Sequence, residues 1–137
     1  MQETTFRIGR LAKIAGVSID TIRFYEREGL LAPCARRASG YREYDQRAVH
    51  TLDFIRQAKA LGLSLKAIHG LLGRHMDPEA KRAALHEAVS ARLHWTLGQI
   101  DEMVRTRDEL MRVIGTCVHV SDSRPAPILT AFFQLQA

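Results

Sequence analysis

The 137-residue sequence contains little cysteine and no long apolar segment. Its two cysteines, Cys34 and Cys117, stand in unrelated surroundings, so we expect reduced thiols and no disulfide framework. The apolar runs are far shorter than the roughly 20 residues that cross a membrane, and the N-terminus has no basic segment followed by an apolar one. We therefore expect a cytoplasmic protein with no membrane partner.

The sequence also lacks the motifs of the common enzyme classes. It shows no paired-carboxylate motif, no glycine-rich phosphate loop and no nucleophile placed beside a base. We therefore expect no catalytic activity, and turnover by the pure protein would contradict this expectation.

Residues 8–26 have the pattern of two short helices separated by a turn. Gly16 is placed to end the first helix in a left-handed conformation, and Ser18 is a typical cap for the second, whose Ile19 and Ile22 are expected to face inward. A small basic loop with aromatic residues follows at 39–44. The apolar face of the first helix comprises Ile8, Leu11, Ala12 and Ala15. This layout is typical of a helix-turn-helix module that enters DNA grooves.

The charge distribution indicates where a polyanion would bind. Residues 1–75 carry 13 Lys and Arg against 7 Asp and Glu, whereas residues 76–137 carry 7 against 8. A basic balance alone is weak evidence, but here it coincides with the helix-turn-helix pattern. We expect the N-terminal half to face DNA.

The remaining sequence predicts further helices. Asp45 and Ser64 are placed to cap two helices that complete a small core, with Gly62 between them. Asp77 and Pro78 mark the start of a long helix for which Gly115 is a natural stop. The sequence therefore predicts a mainly α chain with a DNA-binding domain at 1–75, a helix at 76–117, and a loop and short helix at 118–137.

The long helix carries a heptad pattern. Apolar residues dominate the a and d positions, and Thr96 and Arg107 interrupt them as polar residues that fix register in a coiled coil. We expect a homodimer seam, the alternative being a long helix packed onto its own domain. The a positions are His86, Leu93, Ile100, Arg107 and Ile114; the d positions are Val89, Thr96, Met103, Leu110 and Cys117; Leu97, Val104 and Met111 at e widen the stripe.

These motifs together resemble the MerR family of bacterial transcription regulators over nearly the whole chain. The resemblance rests on residues 8–12, 17–18, 21–26, 29–31, 39–42, 54–56 and 61–62, on Ile68, and on the long helix. It implies a winged helix-turn-helix domain, an antiparallel coiled-coil dimerisation helix and a pseudo-palindromic promoter. It also implies that an inducer makes the regulator distort the DNA, so that RNA polymerase can use an overlong promoter spacer.

The resemblance and the side-chain chemistry together give candidate DNA contacts. Arg23, Tyr25 and Arg42 lie at family contact positions, and guanidinium and phenol groups bond phosphates and base edges. Helix capping alone explains the presence of Ser18 without a DNA contact. The alternative role for Tyr25 is that of an aromatic residue buried in the core. The complete set is Ser18, Thr21, Arg23, Tyr25, Tyr41, Arg42, Arg56, Lys59 and Lys66.

The sensing end departs from the family's metal sensors that resemble it most. The first cysteine of their C-terminal loop corresponds to Cys117, but Ala126 stands where the second is expected, so paired thiolates for a soft monovalent ion are missing. Cys117, His119 and Asp122, with His86 of a partner helix, are a possible set for a divalent transition metal such as zinc.

The role of Cys117 stays open. Because it stands at a d position, Cys117 has two alternative roles: a small buried hydrophobic residue or a reactive thiol. His75 of the partner is a further candidate metal ligand. We expect no functional role for Cys34. The alternative functions are a ligand-independent architectural DNA-binding protein and a regulator that senses an organic molecule.

Overall fold

The computed structural model describes residues 4–73, 75–118 and 126–135, and it confirms the mainly α fold class. The chain forms two compact units, residues 1–92 and 93–137. In chain order the elements are β1 (Phe6–Arg7), α1 (Ile8–Ala15), α2 (Ile19–Arg27), β2 (Ala35–Arg36), β3 (Arg42–Tyr44), α3 (Gln46–Ala60), α4 (Leu65–Leu72), α5 (Pro78–Val118) and α6 (Pro127–Gln134).

The ends of the short helices follow from local chemistry. Gly16 adopts a φ of 67°, which a residue without a Cβ reaches at little cost, and it ends α1 as predicted. The Ser18 hydroxyl accepts the Thr21 N–H at 3.0 Å and caps α2. Asp45 and Ser64 cap α3 and α4 in the same way, so these three predicted caps are confirmed.

The helices pack around one core in the first unit. Its largest fully buried side chains come from five different elements: Leu11 of α1, Ile22 of α2, Tyr44 of β3, Ile55 of α3 and Ile68 of α4. The prediction that Ile19 faces inward is wrong, because 39% of this residue is exposed. It is the first residue of α2, at the exposed end of the helix, whereas Ile22 three residues later is fully buried.

A small antiparallel sheet contains the wing. The sheet also includes strand β1, which was not predicted. The strand order is β1-β3-β2, with Phe6 opposite Tyr44 and Arg36 opposite Arg42. The hairpin of β2 and β3 is the wing, and β1 joins it to the residues just before α1. The sheet therefore fixes the wing beside the first helix.

The long helix begins where predicted, but it does not stop at Gly115. Asp77 Oδ1 accepts the Ala80 N–H at 2.8 Å at its first turn, and the helix runs past Gly115 to Val118. Helix propensity alone does not stop it there, because one glycine costs only about 1 kcal/mol in a helix. Within the described ranges no helix combines the length and the apolar character that crossing a membrane requires.

The turn between α3 and α4 generates a stability prediction. Gly62 has a φ of 80°, and a Cβ there would lie 2.5 Å from the Arg92 guanidinium of α5. Gly62→Ala should lower the free energy of unfolding by about 1–2 kcal/mol, because the left-handed conformation is strained for any L side chain. Urea denaturation followed by circular dichroism measures this change.

Gly70→Ala is the matched control. Gly70 lies inside α4, and a Cβ added there would have open space around it, so alanine should stabilise the helix by about 0.5–1 kcal/mol. A Gly62→Ala variant as stable as wild type would contradict the strain argument.

Candidate nucleic-acid interface

A basic cleft lies between the start of α1, helix α2 and the wing. Its volume is about 670 Å³, and no acidic side chain is among the residues that line it. We call it the basic cleft; its lining residues are Arg7, Ile8, Gly9, Arg10, Arg23, Arg36, Gly40, Tyr41 and Arg42. Five guanidinium groups around one concave surface favour a polyanion, because a phosphate chain offers many acceptors for such groups.

The sheet brings several of these side chains together. Arg36 and Arg42 are directly opposed across β2 and β3, so their side chains leave the same face of the sheet. Opposed like charges repel, and an anion between them removes that repulsion. The Arg7 guanidinium lies 5.4 Å from the centre of the Tyr41 ring, which links β1 to the wing loop.

Two carboxylates hold wing arginines in place. Glu43 of β3 pairs with Arg37. Glu26 of α2 accepts a 2.6 Å hydrogen bond from Arg42 Nη1, and Arg42 remains substantially exposed beside the cleft.

The candidate residues of α2 divide into three kinds. Arg23 is exposed and lines the basic cleft, as a DNA contact requires. The hydroxyls of Ser18 and Thr21 are 2.8 Å apart and hydrogen-bonded to each other at the exposed start of the helix. The ring of Tyr25 is buried in the core with 6% of the residue exposed, so the structure gives this ring a packing role.

The candidate residues of α3 and α4 lie outside the basic cleft. Arg56 pairs with Asp53, whose pKa is held below its ordinary value by hydrogen bonds from Arg56 and Gln57. Lys59 Nζ lies 5.9 Å from the centre of the Tyr25 ring, and Lys66 is exposed in the first turn of α4. A phosphate contact by these side chains stays a prediction.

Sequence reasoning missed three arginines of the basic cleft: Arg7, Arg10 and Arg36. Arg7 and Arg10 flank the first turn of α1, where the helix dipole also favours an anion. The signal available in the sequence was the pair Arg7 and Arg10 around the start of α1, together with the arginines of the segment that forms the wing. Only the fold shows that these two segments meet.

The candidate metal ligands are not assembled in the described part of one chain. Cys117 is exposed in the last turn of α5, and His86 is exposed near the start of that helix. His119 and Asp122 lie outside the described residues, and within those that are described no three His, Cys, Asp or Glu side chains form a group that could hold a metal ion. The described donors alone therefore do not fit a zinc site.

Comparison with known proteins settles the family. The family described as MerR HTH family regulatory protein matches residues 6–74, and that described as MerR, DNA binding matches residues 49–113. The heavy metal-dependent transcription regulator 2 of Rhizobium meliloti (strain 1021) is 39% identical over 127 residues, which cover 89% of this chain and 82% of that protein. This chain belongs to the MerR family of regulatory proteins.

Solved structures of the family have the same fold. The transcription regulator PbrR691 from Ralstonia metallidurans CH34, in complex with lead(II), matches with a TM-score of 0.72 at 33% identity, covering 93% of this chain and 98% of that one. HiNmlR, a MerR family regulator lacking the sensor domain and bound to promoter DNA, matches with a TM-score of 0.56 at 28% identity, covering 82% and 85%. The present protein is a DNA-binding transcription regulator and not an enzyme.

Proposed function

We propose that the protein acts in the cytoplasm as a homodimer that binds promoter DNA and changes its geometry for RNA polymerase in response to a metal ion. The basic cleft is the observation that carries the DNA-binding part of this proposal, because it places five arginines between α2 and the wing. A helix that enters a groove beside such a cleft combines base readout with phosphate contacts. HiNmlR, bound to promoter DNA, supports this mode of action.

The dimer is supported by the apolar seam of α5. Five of its a and d side chains are between 50% and 70% exposed in the single chain: Leu93, Ile100, Met103, Leu110 and Ile114. An exposed apolar stripe of this kind, interrupted only by Thr96 and Arg107 between these residues, is typical of an association surface. Two-fold symmetry would match two operator half-sites, and linking two small DNA-binding heads would raise the affinity far above that of one head.

The metal response is supported by relatives and by the position of one thiol. The Rhizobium meliloti relative is a heavy metal-dependent regulator, and PbrR691 was solved with lead(II). Cys117 is exposed in the last turn of α5, where a bond to its sulfur would act at the last d position of the proposed seam. The same exposure also supports a second candidate, in which an oxidant or electrophile modifies the thiol.

The DNA-binding part has a direct test. Arg23→Ala should weaken promoter binding by about 1–3 kcal/mol and relax specificity, as expected when a base-edge contact is lost. Arg56→Ala should weaken promoter and random DNA alike and reduce the slope of log affinity against log salt by about 1. Fluorescence anisotropy with both duplexes at several salt concentrations measures these effects.

Arg105→Ala removes the same charge from the exposed polar face of α5 and is the matched control. It should leave promoter specificity unchanged. A wild-type protein with no preference for its own promoter over random DNA would overturn the proposed function.

The dimer is tested at the centre of the seam. Ile100→Asp buries an unpaired charge if the seam is an interface, so the protein should sediment as a monomer. Its promoter affinity should fall by about 100-fold or more, because two linked heads gain 10²–10⁴-fold over one. His94→Asp places the same carboxylate at an exposed b position and should remain dimeric. An unchanged sedimentation profile for Ile100→Asp would show that α5 packs elsewhere.

The switch is tested at the thiol. Cys117→Ser should bind the promoter as wild type does but should no longer activate transcription in vitro when Zn²⁺, Pb²⁺ or a thiol oxidant is added. Cys34→Ser is the matched control, since Cys34 is also exposed but lies in the wing region with its thiol donating to the Glu43 carbonyl at 3.3 Å. A Cys117→Ser protein with a normal response to each agent would place the sensor elsewhere, for example in a pocket for an organic ligand.

A further inference from the structure

Glu26 is an acidic residue beside a strongly basic surface. It lies in the last turn of α2, its side chain is only 10% exposed, and the neighbouring shallow pocket is lined by Glu26 itself with Arg23, Arg27 and Arg42. A carboxylate here repels the phosphates that the arginines attract. The contacts that Glu26 makes must therefore offset this repulsion of the phosphates.

The contacts of Glu26 show what it holds. One carboxylate oxygen, Oε2, accepts the 2.6 Å hydrogen bond from Arg42 Nη1, and the other, Oε1, accepts a hydrogen bond from the Tyr44 hydroxyl. Arg42 and Tyr44 are two positions apart on β3 and leave the same face of the strand. One side chain of α2 thus binds the wing strand at two points.

The two partners of Glu26 differ in their exposure to solvent. Tyr44 is fully buried, and burial, followed by the hydrogen bond and the charge of Glu26, raises the pKa of Tyr44 to about 12. The phenol therefore remains a proton donor at neutral pH and anchors the carboxylate. Arg42 is substantially exposed and lines the basic cleft, so of the two partners it is the one placed to contact a bound polyanion.

We propose that Glu26 is a positioning residue that sets the specificity of DNA binding by holding Arg42, and with it the wing, at a fixed place relative to α2. The proposal rests on the DNA-binding function argued above. A guanidinium that is already fixed in the folded protein loses little conformational entropy on binding DNA, so it favours the one DNA geometry that it fits. A free guanidinium would bind phosphates of any sequence.

The decisive variant is Glu26→Gln. Glutamine keeps an acceptor for the Tyr44 hydroxyl but loses the charge that holds Arg42. The ratio of promoter to random-DNA affinity should fall by about ten-fold, the size expected when a hydrogen bond to a charged group is lost. Random-DNA affinity should rise, and its salt slope should steepen by about 1, because a phosphate gains Arg42.

Glu28→Gln is the charge-matched control. Glu28 is exposed at the end of α2, so its loss should raise affinity for both duplexes equally and leave the ratio unchanged. Tyr44→Phe keeps the buried ring and removes only the donor to Glu26. It should lower the same ratio by a smaller factor, and it serves as the test if Glu26→Gln does not fold.

A double-mutant cycle separates positioning from general stability. If Glu26 acts through Arg42, the Glu26→Gln/Arg42→Gln double variant should have the same affinity ratio as Arg42→Gln alone. Losses that add in the double variant would overturn the proposal. The proposal would also be overturned if the wild-type protein prefers its promoter and both Glu26→Gln and Tyr44→Phe keep the wild-type ratio of promoter to random-DNA affinity. Absence of that preference in the wild type would instead contradict the proposed function itself.

Discussion

The burial of Tyr44 is the constraint on which the DNA-binding head depends. Tyr44 belongs to the central strand of the sheet and is also one of the five largest fully buried side chains, so it joins the wing to the helical core. A two-strand hairpin alone is at best marginally stable in water. Because β3 pairs with both β1 and β2 and buries this ring, the wing has a fixed position, and the arginines at its surface can form one cleft with those of α1 and α2.

Local chemistry explains why much of the helical fold could be predicted. Caps such as Ser18, Asp45 and Ser64 act on amides two or three residues away, so their effect is present in the sequence itself. The left-handed Gly16 and the proline that opens α5 are equally local signals. The heptad pattern predicted the dimerisation helix, and the resemblance to a known family then implied the wing and the antiparallel arrangement of the coiled coil.

What escaped prediction depends on contacts between distant segments. Strands of two or three residues carry no measurable alternation, so the pairing of Phe6 with Tyr44 has no periodic signal. The roles of Arg7 and Arg36 in the basic cleft depend on that pairing and were missed with it. Tyr25 was predicted as a DNA contact because its hydroxyl suits that role, but its ring is buried in the core. Side-chain chemistry alone did not show this burial. The ligand set around Cys117 stays a prediction because its nearest candidates, His119 and Asp122, lie outside the described residues.

The basic residues and the exposed apolar residues lie in different parts of the chain, so the proposed dimer contact and the DNA-binding surface are separate. The basic residues concentrate before residue 76, whereas the exposed apolar seam of α5 lies in a stretch with nearly balanced charge. Balanced charge matters for a dimer, because two copies of a strongly basic helix would repel each other along the seam. Arg107 illustrates this at a seam position, since its guanidinium bonds Asp108 at 2.8 Å and is already partly neutralised within one chain. In the proposed dimer, a change at the contacts of α5 would therefore leave the cationic surface of the first 75 residues intact.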